Sequence, residues 1–337
     1  MKQWQFLRGW CRALVPLATV TALVAGGCGN SSDRSTEPEP DTTSQVTAGD
    51  DVGADRATDE GNGLELLDAG AAPRERLVLQ PVVGAVAERV MVAEIGITVA
   101  IDGEELPSPT LPATRLVLRS VVEDVDEEGT ITSTFTLVDA AAVDGPGVDP
   151  AVLAETETAL NQLDGLTGTS TADRHGGSPN VSIDTGPITD PALRSTLDSL
   201  TSQLTNLTAP LPAQPVGVGA SWRVDRSATL NGVRTDTSTT YTLQARAVND
   251  YVLDVVQEAT APPGPTELPG LPAGVTASIE SFVLRSTGEV RGRLDQPLPD
   301  SSTIQGGGDI EMTVEGGGEA GRLSQQVTVD ASLSSEE

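Results

Sequence analysis

The sequence predicts an α+β protein dominated by antiparallel sheet: one or more large curved sheets of about ten strands, with two central helices packed on them. Three observations carry this. Long stretches alternate apolar and polar residues with period two, the mark of strands with one buried face. Two segments open with Asp-Pro-Ala and then recur at helical spacing, and glycine or acidic turns separate the strands. Segregated strands and helices argue α+β with an antiparallel sheet.

The strands begin after Leu77. Met91, Ala93, Ile95, Ile97, Val99 and Ile101 alternate with Val92, Glu94, Gly96, Thr98 and Ala100. Asp102-Gly103 reads as a turn. Leu116, Leu118 and Val122 mark the next strand, and Asp126 to Gly129 the next turn. Ile131, Phe135 and Leu137 follow against a run of threonines.

Asp149-Pro150-Ala151 then opens a helix, with Asp as N-cap and Pro at the first helical position, and Gly165 stops it. Asp190-Pro191-Ala192 opens a second, where Leu193, Leu197, Leu200, Leu204 and Leu207 form one apolar stripe suited to packing on a sheet.

Strands resume at Trp222 and Val224, which lead to Asn231-Gly232, a hairpin signal. Tyr241 to Ala247 and Tyr251 to Val255 come next, then a Pro-rich loop from Pro262 to Pro272. The last strands cover Ile279 to Leu284, Val290 to Leu294, Ile310 to Val314 and Leu323 to Val329, with Gly306 to Gly308 and Gly316 to Gly321 read as turns. This makes one domain over 74–335, with degenerate halves at about 74–165 and 190–335 as an alternative.

The N-terminus reads as an export signal over 1–27. Lys2, Arg8 and Arg12 form a positive region, and Ala13 to Ala25 is apolar but shorter than the roughly 20 residues of a membrane span. Val24-Ala25-Gly26-Gly27-Cys28 resembles a lipobox, which implies lipidation of Cys28 and attachment to the extracytoplasmic face of a cell membrane, the outer one if the source has two. Ala25 stands where Leu is commonest. The alternative is an ordinary signal cut near Ala25 or Gly27. Cys11 lies inside the signal, so the chain after it holds one cysteine and no internal disulfide. Residues 28–73 read as a disordered acidic tether, rich in Ser, Thr, Pro and Gly, in which Leu64 to Leu67 is a short patch able to dock locally.

Charge bounds the partners. The formal net charge is −29, and the first 27 residues hold three basic residues and no acid, so the remainder is more acidic still. A nucleic acid partner is excluded, because binding one needs a basic surface. Anionic headgroups are repelled as well, which leaves the lipid on Cys28 as the membrane link. Past the signal the aromatics are Phe135, Trp222, Tyr241, Tyr251 and Phe282, too few for a stacking platform.

Catalytic chemistry is sparse. His175 is the sole histidine and sits in a loop composition, Asp173-Arg174-His175-Gly176. Gly217-Val218-Gly219-Ala220-Ser221 lacks the spacing of a nucleophile elbow. Asp124, Asp126 and Glu128 match the first half of a calcium loop, but the twelfth place is Phe135, and strands flank it, so it reads as a solvated hairpin tip. No catalytic residue, cofactor or metal site is expected.

The run Ala209-Pro-Leu-Pro-Ala-Gln-Pro-Val-Gly-Val-Gly-Ala-Ser-Trp222 resembles the hallmark of an uncharacterised family of bacterial lipoproteins, in which a Leu-rich helix precedes Leu-Pro-x-x-Pro-Val-Gly-x-Gly-x-x-Trp. That resemblance implies no activity. A weaker likeness, in element order alone, is to LolA-like lipoprotein carriers, which bind acyl chains between a curved sheet and helices. Two functions follow as expectations: a non-catalytic interaction module of the cell envelope, or a carrier or sensor of a lipid-like ligand.

Overall fold

The computed structural model describes residues 58–59, 63–177, 180–184, 209–230, 233–266, 275–316 and 319–335. The export signal, Cys28, the Leu193 to Leu207 stripe and the Asn231-Gly232 turn lie outside the described residues.

The described residues form one antiparallel sheet of fifteen strands. They are β1 (Thr58–Asp59), β2 (Leu64–Asp68), β3 (Val86–Ile101), β4 (Glu104–Leu106), β5 (Ala113–Val125), β6 (Ile131–Val143), β7 (Thr167–Ala172), β8 (Asn180–Ile183), β9 (Ser221–Leu230), β10 (Val233–Ala247), β11 (Asp250–Thr260), β12 (Gly264–Thr266), β13 (Val275–Arg293), β14 (Ser301–Gly316) and β15 (Glu319–Ser335). In space the order is β1-β2-β9-β10-β11-β13-β14-β15-β3-β5-β6-β7-β8, with β12 beside β13 and β4 beside β3.

The count exceeds the expected ten for two reasons. Short polar strands such as Thr167–Ala172 and Asn180–Ile183 carry no apolar alternation to betray them. Strand β2 also lies inside the segment expected as tether, where the Leu64 to Leu67 patch docks. Leu64 and Leu66 are buried, and their strand pairs with Trp222 and Val224 of β9, so ordered structure starts before residue 74. Acidic neighbours masked a strand with one apolar side.

Of the two expected helices, the one opened by Asp190-Pro191-Ala192 lies outside the described residues. Among the described residues there is one α-helix, α1 (Pro150–Leu160), capped by Asp149 Oδ1 accepting from the Ala151 amide at 2.8 Å. None of its residues is buried. A single 3-10 turn follows and inserts Leu163 under the β5–β6 hairpin, beside Leu116, Leu137 and Ala140.

Two segments read as separate strands, Ile279 to Leu284 and Val290 to Leu294, fuse into the 19-residue β13. Gly306 to Gly308 is not a turn. It lies mid-strand in β14, between Ser286 and Leu284 of β13 and Val329 and Val327 of β15. A Cβ at Gly306 would strike the Arg285 carbonyl, and one at Gly308 the Val283 carbonyl. These glycines therefore serve close approach of backbones and not chain reversal. The true reversal is at Gly316, which pairs with Glu319.

The sheet curls upon itself. Strands β9 and β5 stand seven places apart in the order, a separation of about 34 Å in a flat sheet at ~4.8 Å per strand. Yet Val122 and Ile131 share one buried cluster with Leu64, Trp222, Val224 and Leu253. Two connecting segments close that end. The Leu79 amide donates to the Arg174 carbonyl at 2.8 Å, the Leu211 amide to the His175 carbonyl at 2.7 Å, and Glu75 bridges Val216. Among the described residues the sheet edges at β1 and β8 do not pair with each other.

Candidate binding site

The register resolves the inner face into rows of directly paired residues. Alternation sets the direction: β3, β14 and β15 carry Glu94, Asp309 and Asp330 outward and apolar residues inward. One row runs Leu243, Leu253, Val290, Ser302, Leu333, Met91, Leu116. Its large side chains are mostly buried and form the closed end. Towards the other end, Ile279, Phe282, Ile310, Met312, Leu323 and Ile101 make a second buried cluster.

Between these two layers the inner face is lined by small groups. One row is Tyr241, Val255, Gly288, Ile304, Ala331, Ala93; the next is Thr239, Gln257, Ser286, Gly306, Val329, Ile95; the third is Thr237, Ala259, Leu284, Gly308, Val327, Ile97. Ile304, Val329, Ile95, Leu284 and Ile97 are only half-buried, although they share a face with fully buried neighbours. Gly288, Gly306, Gly308, Ala93 and Ala331 contribute almost no side-chain volume. The middle of the inner face is therefore a band of small and half-buried apolar groups between the two buried clusters.

A polar ladder crosses one wall of this band. The Gln257 amide donates to the Thr239 hydroxyl at 3.2 Å, and the Ser286 hydroxyl donates to Gln257 Oε1 at 3.3 Å. Thr235 and Thr237 are also buried on this wall. Trp222 and Tyr241 floor it towards the closed end, stacked with ring centroids 5.9 Å apart. The indole Nε1 donates to the Pro210 carbonyl at 2.8 Å. Burial pushes the Tyr241 hydroxyl above its ordinary pKa, and the nearby Arg226 charge opposes that push.

The residues singled out in the sequence fall elsewhere. His175 is a stitch: its Nδ1 donates to the Leu77 carbonyl at 3.2 Å while its own amide donates to Asp173 Oδ1 at 2.7 Å. The Asp124 to Glu128 cluster is a hairpin tip, where Asp126 Oδ1 accepts from the Thr130 amide at 2.7 Å. The backbone and hydroxyl of Thr130 hold the Asp126 carboxyl below its ordinary pKa. Arg174 Nη2 donates to the Glu128 carbonyl at 2.6 Å across that turn. Among the described residues no group of three or more His, Cys, Asp or Glu is placed to hold a metal ion.

The proline- and glycine-rich run before Trp222 plugs the closed end. Leu211, Val216 and Ala220 are buried, and Gly219 takes a φ of +86°, which favours glycine. A Cβ on Gly217 would meet the Ala71 carbonyl. Sequence reasoning missed Thr239, Gln257, Ser286 and the inward glycines. Their signal was present as Thr, Ser or Gly at every second position, but without apolar residues it does not stand out as a buried face.

The described residues define a curled antiparallel sheet with an apolar inner face. No protein-family model matches the chain, and no curated protein shows significant similarity to it.

Proposed function

We propose that this chain is a non-catalytic binding module of the cell envelope, anchored by lipid on Cys28, that takes an apolar small molecule into the band on its inner face. The observation that supports the reading is the partial exposure of Ile95, Ile97, Leu284, Ile304 and Val329 on the inner face, beside buried Val255, Ala259 and Val327. Inward isoleucines in a finished core would be covered. Their access to solvent, beside Gly288, Gly306 and Ala331, supplies the concave apolar lining that small-molecule sites use.

A second reading, docking of a protein, draws on a different feature: Val82, Val83 and Val86 are 68%, 56% and 51% exposed around the turn that leads into β3.

Native mass spectrometry of the full-length chain from bacterial membranes, with extraction of bound lipid, separates the two. A co-purifying apolar molecule at fixed stoichiometry, lost when the band is filled by larger side chains, supports the carrier. A ligand-free mass that persists after challenge with long-chain lipids overturns it and directs the search to crosslinked protein partners.

A further inference from the structure

We infer that the apolar ligand carries an uncharged hydroxyl group, recognised by the side-chain amide of Gln325 at the border of the band. The inference rests on the carrier reading and names the chemical class of its ligand: a neutral long-chain molecule with a hydroxyl head, such as a long-chain alcohol or a partial glyceride.

The register places Gln325 on the inner face. It pairs with Ile310 of β14 and Val99 of β3, in the row next to Leu284, Gly308, Val327 and Ile97. Along β15 it lies between buried Leu323 and Val327, while Gln326 alternates with it and is exposed. Ile310, Leu323 and Val327 belong to the second buried cluster, and Val99 packs against it. Gln325 itself is 7% exposed.

An amide in such surroundings is expected to be bonded, because taking it out of water without a partner is costly. The Gln325 side chain makes no hydrogen bond with the described residues. Gln244, Gln257 and Gln305 also lie on strands, and each donates to a neighbouring side chain. The small area that Gln325 keeps reaches its amide, since neither polar atom is among those sealed from solvent without a partner. Its N–H donors and its carbonyl are therefore both available on the inner face.

Chemistry decides between ligand classes. The side chains next to the amide are hydrocarbon, so a charged head there would be desolvated with no counter-charge from them. The formal net charge of −29 opposes an anion further. An ether only accepts and would leave the amide carbonyl unmatched. A hydroxyl donates and accepts, and so satisfies both kinds of group on the amide. The Thr239–Gln257–Ser286 ladder is matched within itself, since Gln257 donates to Thr239 and accepts from Ser286. From Gln325 the ligand's chain runs along the band, over Ile97, Ile95 and Ala93, which succeed one another on the inner face of β3.

The test is equilibrium binding, at neutral pH, of radiolabelled hexadecan-1-ol, its methyl ether and hexadecanoic acid to the full-length chain, to Gln325→Met and to Gln325→Leu, with thermal unfolding by circular dichroism on each. The expected result is preference for the alcohol over the ether and over the acid by about tenfold, and equal binding of alcohol and ether in both variants. Both variants should unfold at or above the Tm of the unaltered chain, because hydrocarbon replaces an unpartnered amide. Equal binding of alcohol and ether by the unaltered chain, or tighter binding of the acid, overturns the hydroxyl head and leaves the carrier reading standing. An alcohol preference that survives in the folded variants overturns the role of Gln325. A marked fall in Tm in both variants gives the amide a structural partner and overturns that role as well. Binding of none of the three probes overturns the carrier reading itself.

Discussion

Replacing Ala93 and Ala331 together by leucine tests whether the middle of the inner face is room or core. The two alanines are direct partners across β3 and β15, and both are half-buried. Each substitution adds three carbons to the inner face. In a filled interior, overpacking costs about 1–3 kcal/mol per site, so about 2–6 kcal/mol for the pair. For a domain of this size each kcal/mol lowers Tm by about 2–4 °C, which predicts a fall of about 4–24 °C. In an unfilled band the new side chains enter vacant space next to Gly288 and Ile304. Tm then moves by no more than about 3 °C, while the affinity for a fluorescent apolar probe drops at least tenfold. A contrasting variant is Leu333→Ala, two residues along β15 in the closed row and 3% exposed, which should lose about 2–5 kcal/mol. Thermal unfolding followed by circular dichroism, with probe titration on the same samples, gives both numbers. A large fall in Tm for the double leucine variant, with probe affinity unchanged, refutes the reasoning.

Trp222→Phe removes the donor to the buried Pro210 carbonyl and part of an indole that is fully buried, so urea unfolding should show a loss of about 2–4 kcal/mol. Asp126 has a folded pKa depressed by its bonds to Thr130, so its contribution is present above its unfolded value and is lost as pH falls through the lower folded one. The unfolding midpoints of the unaltered chain and of Asp126→Asn should therefore differ at neutral pH and converge below about pH 4. A gap that stays constant down to pH 2 would contradict that assignment.

The sheet was legible where one face is apolar and the other polar. Met91 to Ile101 and Ile131 to Leu137 lie in β3 and β6 because alternation reports one-sided burial directly. The Asp149 cap also sits at the start of α1, since a side chain that bonds the next turn's amides is a local signal. What alternation cannot report is a strand buried through glycine or hydroxyl groups. Gly306 to Gly308 looked like a turn because free glycine favours reversal, whereas here it permits two neighbouring backbones to approach. Thr235, Thr237 and Thr239 carry no apolar signal, yet they are buried on the inner wall. The band was hidden for the same reason, since it is defined by the side chains that are missing from it.

The open topology bears on the same point. Closing a sheet into a barrel removes both edges and with them the risk of pairing with another chain. This sheet is long enough to curl until β5 and β6 meet β2 and β9 in one cluster, yet it leaves β1 and β8 unjoined. Its edges are blunted instead. The terminal strands hold two and four residues, and acids flank them at Asp59, Glu65, Asp68 and Asp184. Retaining two edges, with the devices needed to keep them unpaired, has no stabilising return in the fold. On the proposed binding reading, two unpaired edges among the described strands give a ligand its route to the inner face.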